Sequence, residues 1–253
     1  MEVHAHTHTA ADPDSHRGRK KWTHYLWEFL MLFLAVFCGF LAENFREHTI
    51  EKNREKKYIV SMIEDLKVDT ASINTHASFR RDRRRRMDSL SVLLNQSDYL
   101  NHTGLIYYYA RWIPRITYFY STDQTIQQLK NAGGMRLITR QPAAEAIMAY
   151  DAQLKLVQTQ SYSLEQEVVS RFLNMMTPLF NGNVMDQMYG DSLFSKPNGN
   201  PALLTNEKRL VDELASQLHF VKAVNNRNAY FENMLKQRAV KTIEILKKEY
   251  YLK

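Results

Sequence analysis

The sequence predicts a mainly α protein, with one N-terminal transmembrane helix continuing into a long helix and then an extramembrane helical bundle. Three observations predict it. Residues 25–42, YLWEFLMLFLAVFCGFLA, carry one charge, Glu28, followed by fourteen residues with none. The 253-residue chain holds only 8 Gly and 6 Pro, a composition that favours helix over sheet. The stretches 42–96 and 205–250 contain neither residue. The expected division is a polar tail (1–21), a transmembrane helix (22–45) and an extramembrane helical domain (46–253) with one long loop at about 177–204.

The tail, MEVHAHTHTAADPDSHRGRKK, has no apolar periodicity and is expected to be disordered. His4, His6 and His8 alternate, so an extended backbone would place three imidazoles on one face. Imidazole suits Zn, Cu or Ni, but a working site needs a closed geometry and supporting hydrogen bonds. No partner ligands for either are apparent, so no metal site is assigned.

The span itself is defined by length and flanks. Eighteen residues from Tyr25 to Ala42 make about 27 Å of helix, close to the hydrocarbon thickness of about 30 Å. Trp22, Tyr25 and Trp27 form an aromatic belt beside Arg17, Arg19, Lys20 and Lys21, with Phe45 and Arg46 at the far end. A cleaved signal peptide fits less well. The exit, Phe40-Leu41-Ala42-Glu43, lacks paired small residues, and the basic region begins only after a 16-residue polar tail. Lipidation would use Cys38, the single cysteine, yet Phe37 precedes it where a small residue is required.

Orientation follows from cation density. Four cations lie within five residues on the N-terminal flank, while Arg46, Lys52, Arg54, Lys56 and Lys57 are more spread out and mixed with Glu43, Glu47, Glu51 and Glu55. The expected topology is N-terminus cytoplasmic and C-terminal domain extracytoplasmic, in a bacterial inner (plasma) membrane. Only four cations and four acids precede residue 43, so the whole net charge of +7 lies beyond it. With one cysteine no intramolecular disulfide is possible.

Past the membrane, Ile59, Met62, Leu66 and Ile73 form an apolar stripe at helical spacing, interrupted by Asp69. It suits packing on other helices and is short for a coiled coil. FRRDRRRRMD then places Arg80, Arg81, Arg83, Arg84, Arg85 and Arg86 within seven residues. Such a run would suit phosphate, but no stacking aromatics are interleaved in sequence. On a straight helix it would lie about 57 Å beyond the membrane. It is expected to be a solvated helix face paired with acids, and no nucleic acid partner is expected.

The segment GLIYYYARWIPRITYFYSTD concentrates Tyr107, Tyr108, Tyr109, Trp112, Tyr118, Phe119 and Tyr120, split by Pro114. Its expected place is a core where helices cross. Ser121 and Gln124 have capping-box spacing and open a short helix that stops at Gly133-Gly134. Pro142 starts a helix running to about Met176, with Ile147, Tyr150, Leu154, Val157, Tyr162 and Leu164 inward. Residues 177–204 hold Gly182, Gly190, Gly199, Pro178, Pro197 and Pro201 and read as the long loop. The last helix, 205–250, places Leu210, Leu214, Leu218, Val221, Tyr230, Leu235 and Ile245 on its buried side.

The stretch KKWTHYLWEFLMLFLAVFCGFLAENFREH (Lys20 to His48), with His4-Ala5-His6-Thr7-His8 before it and Tyr58-Ile59 and Asp65-Leu66 after it, resembles an uncharacterised family of bacterial single-pass membrane proteins. Leu129-Lys130-Asn131-Ala132-Gly133-Gly134-Met135-Arg136-Leu137-Ile138 with Tyr150 adds a weaker match, and nothing beyond about residue 155 contributes. The resemblance implies a membrane anchor with a helical domain, and it carries no catalytic residues.

No HExxH, GxSxG or phosphate-cradling glycine loop occurs, and His76, His102 and His219 are far apart in sequence. No enzymatic activity, catalytic residue, metal site or cofactor is expected. The expected role is a membrane-anchored scaffold or accessory protein with a protein partner or a homo-oligomeric state. The alternative is an extracytoplasmic ligand-sensing bundle that signals through a membrane partner.

Overall fold

The computed structural model describes residues 17–131, 133–190 and 194–252. Its helices are α1 (Arg17–Leu94), α2 (Thr103–Trp112), α3 (Gln124–Asn131), α4 (Gln141–Leu156), α5 (Tyr162–Met176), α6 (Gly182–Gln187) and α7 (Lys208–Glu249). No strand forms among the described residues; Tyr189 and Phe194 make an isolated antiparallel bridge. The protein is mainly α, with a long apolar N-terminal helix followed by a helical region, as the scarcity of Gly and Pro requires.

The chain divides into two compact units, Met1–Arg54 and Glu55–Lys253. In the first, the apolar part of α1 is uncovered: its most apolar 18-residue window has a mean hydropathy of 2.0 and none of it is buried. By length and composition this helix is able to cross a membrane. Phe29, Phe33 and Phe37, four residues apart, stack along one side with centroids 6.3 and 5.8 Å apart.

In the second unit the stripe read from Ile59 to Ile73 continues well past it in both directions. Glu55, Ile59, Met62, Leu66, Asp69, Ile73, His76, Arg80, Arg83, Met87, Leu90 and Leu94 are all buried. Their spacing alternates between three and four residues throughout. On α7 the series Val211, Leu214, Leu218, Val221, Asn225, Asn228, Glu232, Leu235, Ala239, Thr242 and Leu246 does the same. A 3.5-residue repeat keeps one seam facing its partners over many turns. Leu210 and Ile245 are half-buried, whereas Tyr230, placed inward from sequence, is exposed.

α4 and α5 carry the same repeat out of phase. Ala143, Ile147, Tyr150, Leu154, Val157 and Ser161 form one seam, and Tyr162, Glu165, Val169, Phe172 and Met176 the next. The mismatch of one residue falls at a π-helical turn, Val157–Ser161. That turn absorbs the extra residue without breaking the helix, so both Ser161 and Tyr162 face inward. The single helix expected from Pro142 to Met176 is therefore α4 and α5 joined by this turn. α7 packs against both.

The start of α3 differs from the capping box expected at Ser121. Its donors are met from α1: Asp69 Oδ1 accepts the Thr122 N–H at 2.6 Å and Asp65 Oδ2 accepts the Thr125 N–H at 3.2 Å. Gly133 adopts φ +64° and stops α3 as expected. Asp69, which interrupts the stripe in sequence, also accepts the Tyr150 O–H. Burial pushes its carboxyl above the ordinary range against those hydrogen bonds, and burial followed by the Asp69 charge pushes the Tyr150 phenol well above its ordinary value.

Residues 177–204 are more structured than the loop read from sequence. α6 forms within them, and Leu179, Phe180, Met185 and Met188 are buried in a core cluster with Tyr107 and Phe172. The Leu204 N–H bonds the Leu179 carbonyl at 2.9 Å, and Asn200 Oδ1 accepts the Gly104 N–H at 3.1 Å. A Cβ on Gly104 would lie 2.2 Å from the Gly199 carbonyl oxygen. Glycine is what allows this backbone approach. Gly104→Ala is expected to cost about 1–3 kcal/mol, the range for forcing an extra methyl into a packed site, measured as a lowered thermal midpoint. A midpoint unchanged within a degree would show that the two segments are not held together.

The aromatic cluster is only partly core. Tyr107 and Phe119 are buried, Tyr108, Tyr109, Trp112 and Tyr118 are half-buried, and Tyr120 is exposed. Of the half-buried members, Tyr108 and Trp112 lie against the Arg86 guanidinium, and Tyr118 lies against the Tyr162 ring.

Candidate functional site

α1 carries six arginines in seven residues, and a helix of 3.6 residues per turn cannot send them all to one side. The seam positions are 80 and 83. Their guanidiniums enter the bundle, where Arg80 and Arg83 are 2% and 3% exposed, which corrects the expectation of a wholly solvated face. The rest follow it more closely: Arg84 pairs with Asp88 at 3.0 Å, Arg85 pairs with Asp82, and Arg81 bonds the Ser78 hydroxyl at 2.8 Å.

Two acids receive the buried pair. Arg80 Nη1 and Nη2 donate to Glu165 Oε1 and Oε2 at 3.1 and 3.0 Å, while its Nε donates to Glu232 at 2.9 Å. Arg83 Nη1 also donates to Glu165, and Arg83 Nε to the Ile113 carbonyl at 3.0 Å. Asn228 Nδ2 donates to Glu165 at 2.8 Å and the Tyr162 hydroxyl to Glu232 at 3.2 Å. His76 sets Nδ1 2.8 Å from Glu232 and Nε2 2.7 Å from the Thr117 carbonyl. The Thr117 hydroxyl also lies 2.9 Å from Nε2.

This polar layer occupies one level of the bundle. Below it lies a cluster built on Ile59–Ile73, Tyr162 and Leu235, and above it one built on Met87–Leu94, Val168 and Val224. Burial opposes charge on every member, so the shifts show which charges are best compensated. For Arg80, two carboxylates outweigh burial and raise its pKa. For Glu165, Arg80 and Arg83 outweigh it and hold the carboxyl below the ordinary range. For Arg83 burial prevails over Glu165, and its pKa is lowered. Arg83 is the under-compensated charge.

Arg83 also lines a cleft of about 300 Å³ with Phe79, Asp82, Arg86, Trp112 and Arg115. Here aromatics do interleave with arginines, though from a different segment of the chain. The Arg86 guanidinium lies 3.9 Å from the Trp112 ring centroid and that of Arg115 5.1 Å from it. Arg115 is also 5.5 Å from Phe194, and Arg111 is 4.9 Å from Phe194 and 4.7 Å from Tyr189. Such cation–π contacts hold guanidiniums in place without neutralising them.

Of the other residues singled out from sequence, His4, His6 and His8 lie outside the described residues. His102 sits on the surface 3.4 Å from Asp98, and His219 stacks edge-on with Phe220. The histidines at 76, 102 and 219 do not meet, and no group of three or more metal-ligating side chains occurs among the described residues. Cys38 is exposed on the apolar part of α1. No family model, curated protein or solved structure matches this chain.

Proposed function

We propose that this chain is a membrane-anchored helical scaffold or accessory protein that acts through protein–protein contacts, with no catalytic step of its own. The observation that carries the reading is the contrast between its two units. The apolar stretch of α1 is uncovered throughout, while the helices of the second unit turn their seams inward and pair their buried charges with one another. An uncovered span suits a lipid bilayer. A densely bonded helical unit suits a rigid platform for a protein partner or a second copy of itself. The cation density at 17–21 supports a cytoplasmic N-terminus and an extracytoplasmic C-terminal domain at a bacterial inner membrane. Nucleic acid is not among the proposed partners, since two of the six clustered arginines are engaged inside the bundle.

The reading is tested in native membranes. Carbonate extraction should leave the chain in the pellet. Cross-linking followed by native electrophoresis should place it in a species larger than the 29.8 kDa monomer. A chain recovered only as a monomer would overturn the scaffold role. Alkaline phosphatase fused after Lys253 should be active; an inactive fusion beside a bright fluorescent-protein fusion would reverse the topology. The cleft at Arg83 favours a second reading, a ligand-sensing bundle that signals through a membrane partner.

A further inference from the structure

The cleft beside the buried network has the features of a ligand site whose occupant is negatively charged. It is concave, and its volume of about 300 Å³ lies at the small end of the range for organic ligands. Three of its six lining residues are arginines. Arg86 and Arg115 have no carboxylate partner among the described residues; they make the aromatic stacks and an Arg86 Nη1 hydrogen bond to the Tyr108 hydroxyl at 3.3 Å. The acid at the rim, Asp82, is already paired with Arg85.

A second observation is independent of that charge count. Arg83 is 97% buried on its 3% exposure, its Nε and Nη1 are bonded to Ile113 and Glu165, and its Nη2 has no partner. The indole Nε1 of Trp112, on the same cleft, is a further buried donor without a partner. Leaving a buried donor unpaired costs about 1–3 kcal/mol, and more where the group is charged. Two such donors on one arginine-lined cleft call for acceptor oxygens on whatever occupies it. Phe79 and Trp112 add apolar walls, which a bare inorganic ion would not use.

We propose that this cleft binds a small organic carboxylate, its oxygens facing the guanidiniums of Arg83, Arg86 and Arg115 and its apolar body lying against Phe79 and Trp112. A guanidinium offers paired donors that match a carboxylate. Asp82 at the rim favours one negative charge over two. Arg83 is the member that links ligand to fold. It shares Glu165 with Arg80, so an anion at Arg83 supplies the compensation that burial leaves short, and binding stiffens the polar layer joining α1, α5 and α7. The inference does not depend on membrane anchoring or topology, and it holds for a scaffold as well as for a sensor.

The test uses the full chain in detergent, titrated calorimetrically at constant ionic strength with sodium benzoate, sodium acetate and inorganic phosphate. Benzoate is expected to bind saturably at one site and at least about tenfold more tightly than acetate, which has the oxygens without the apolar body. Arg115→Gln and Arg86→Gln should each weaken benzoate at least about tenfold, the loss of one charge-assisted contact. Circular dichroism should show both variants folded. Arg115 is exposed, so R115Q carries the test alone if R86Q is destabilised. Arg81→Gln, on the same run but outside the cleft, should bind as the unmodified chain does. Absence of saturable benzoate binding, equal affinity for acetate, or unchanged affinity in R115Q would each overturn the proposal. Phosphate binding more tightly than benzoate would overturn the carboxylate assignment and make the cleft a phosphate site.

Discussion

Replacing Glu165 with alanine should destabilise the second unit by about 3–5 kcal/mol, the usual cost of removing one partner from a buried ion pair. Glu165 is 1% exposed and receives Arg80, Arg83 and Asn228. Without it two buried guanidiniums share one remaining carboxylate, Glu232, which of the two bonds Arg80 and not Arg83. For a unit of this size, that loss corresponds to a midpoint lower by roughly 6–20 °C, readable by circular dichroism on the full chain in detergent. A drop under about 3 °C would mean that water reaches the arginines and that the layer is not closed.

The same carboxylate sets the direction of acid sensitivity. Its pKa is held below the ordinary 4.5, so between the folded and unfolded values the unfolded chain binds more protons and stability rises with pH. The Glu165 contribution is complete above about pH 4.5 and is lost as pH falls through the folded value. Glu165→Gln, which does not titrate, should therefore melt well below the unmodified chain at pH 7 and close to it in strong acid. A gap independent of pH would contradict the shift.

What was legible in the sequence, and what was not, follows from how local each signal is. The apolar stretch of α1 depends on a single run of residues, and composition alone identifies it. The seam of α1 was legible as far as Ile73, where the next inward residues are His76, Arg80 and Arg83. Hydropathy places those outside, and their burial depends on partners far along the chain, chiefly Glu165 and Glu232. The uninterrupted alternation of three and four from Glu55 to Leu94 was nevertheless present. Weighting period above hydropathy would have singled out Arg80 and Arg83 from their four neighbours. The cleft was not legible. Its lining comes from two separate segments, Phe79–Arg86 and Trp112–Arg115, and their meeting is decided by packing. The aromatic run reads as core because an aromatic in sequence does not reveal whether its neighbour in space is another ring or a guanidinium.

The last large effect is expected at Tyr107, which fixes the connection between α5 and α7. Its ring is fully buried and meets Phe180 edge-on with centroids 4.9 Å apart. Its hydroxyl donates to the Ala202 carbonyl at 3.1 Å and accepts the Asn181 N–H at 2.9 Å. One side chain thus holds both ends of the 177–204 segment. Tyr107→Ala removes a large aromatic from a packed site and should cost about 3–5 kcal/mol. Tyr107→Phe keeps the ring, loses the two hydrogen bonds and leaves the Asn181 N–H and the Ala202 carbonyl without that partner. Its expected cost is about 1–3 kcal/mol. The two variants should also differ in where they fail. Y107F should keep a cooperative melt but become sensitive to limited proteolysis between residues 181 and 202, because local opening there no longer breaks the hydroxyl contacts. Y107A should lose stability throughout the second unit. If Y107F resisted protease as the unmodified chain does, the segment would be held by Leu179, Phe180, Met185 and Met188 alone, and the hydroxyl would have no part in closing it.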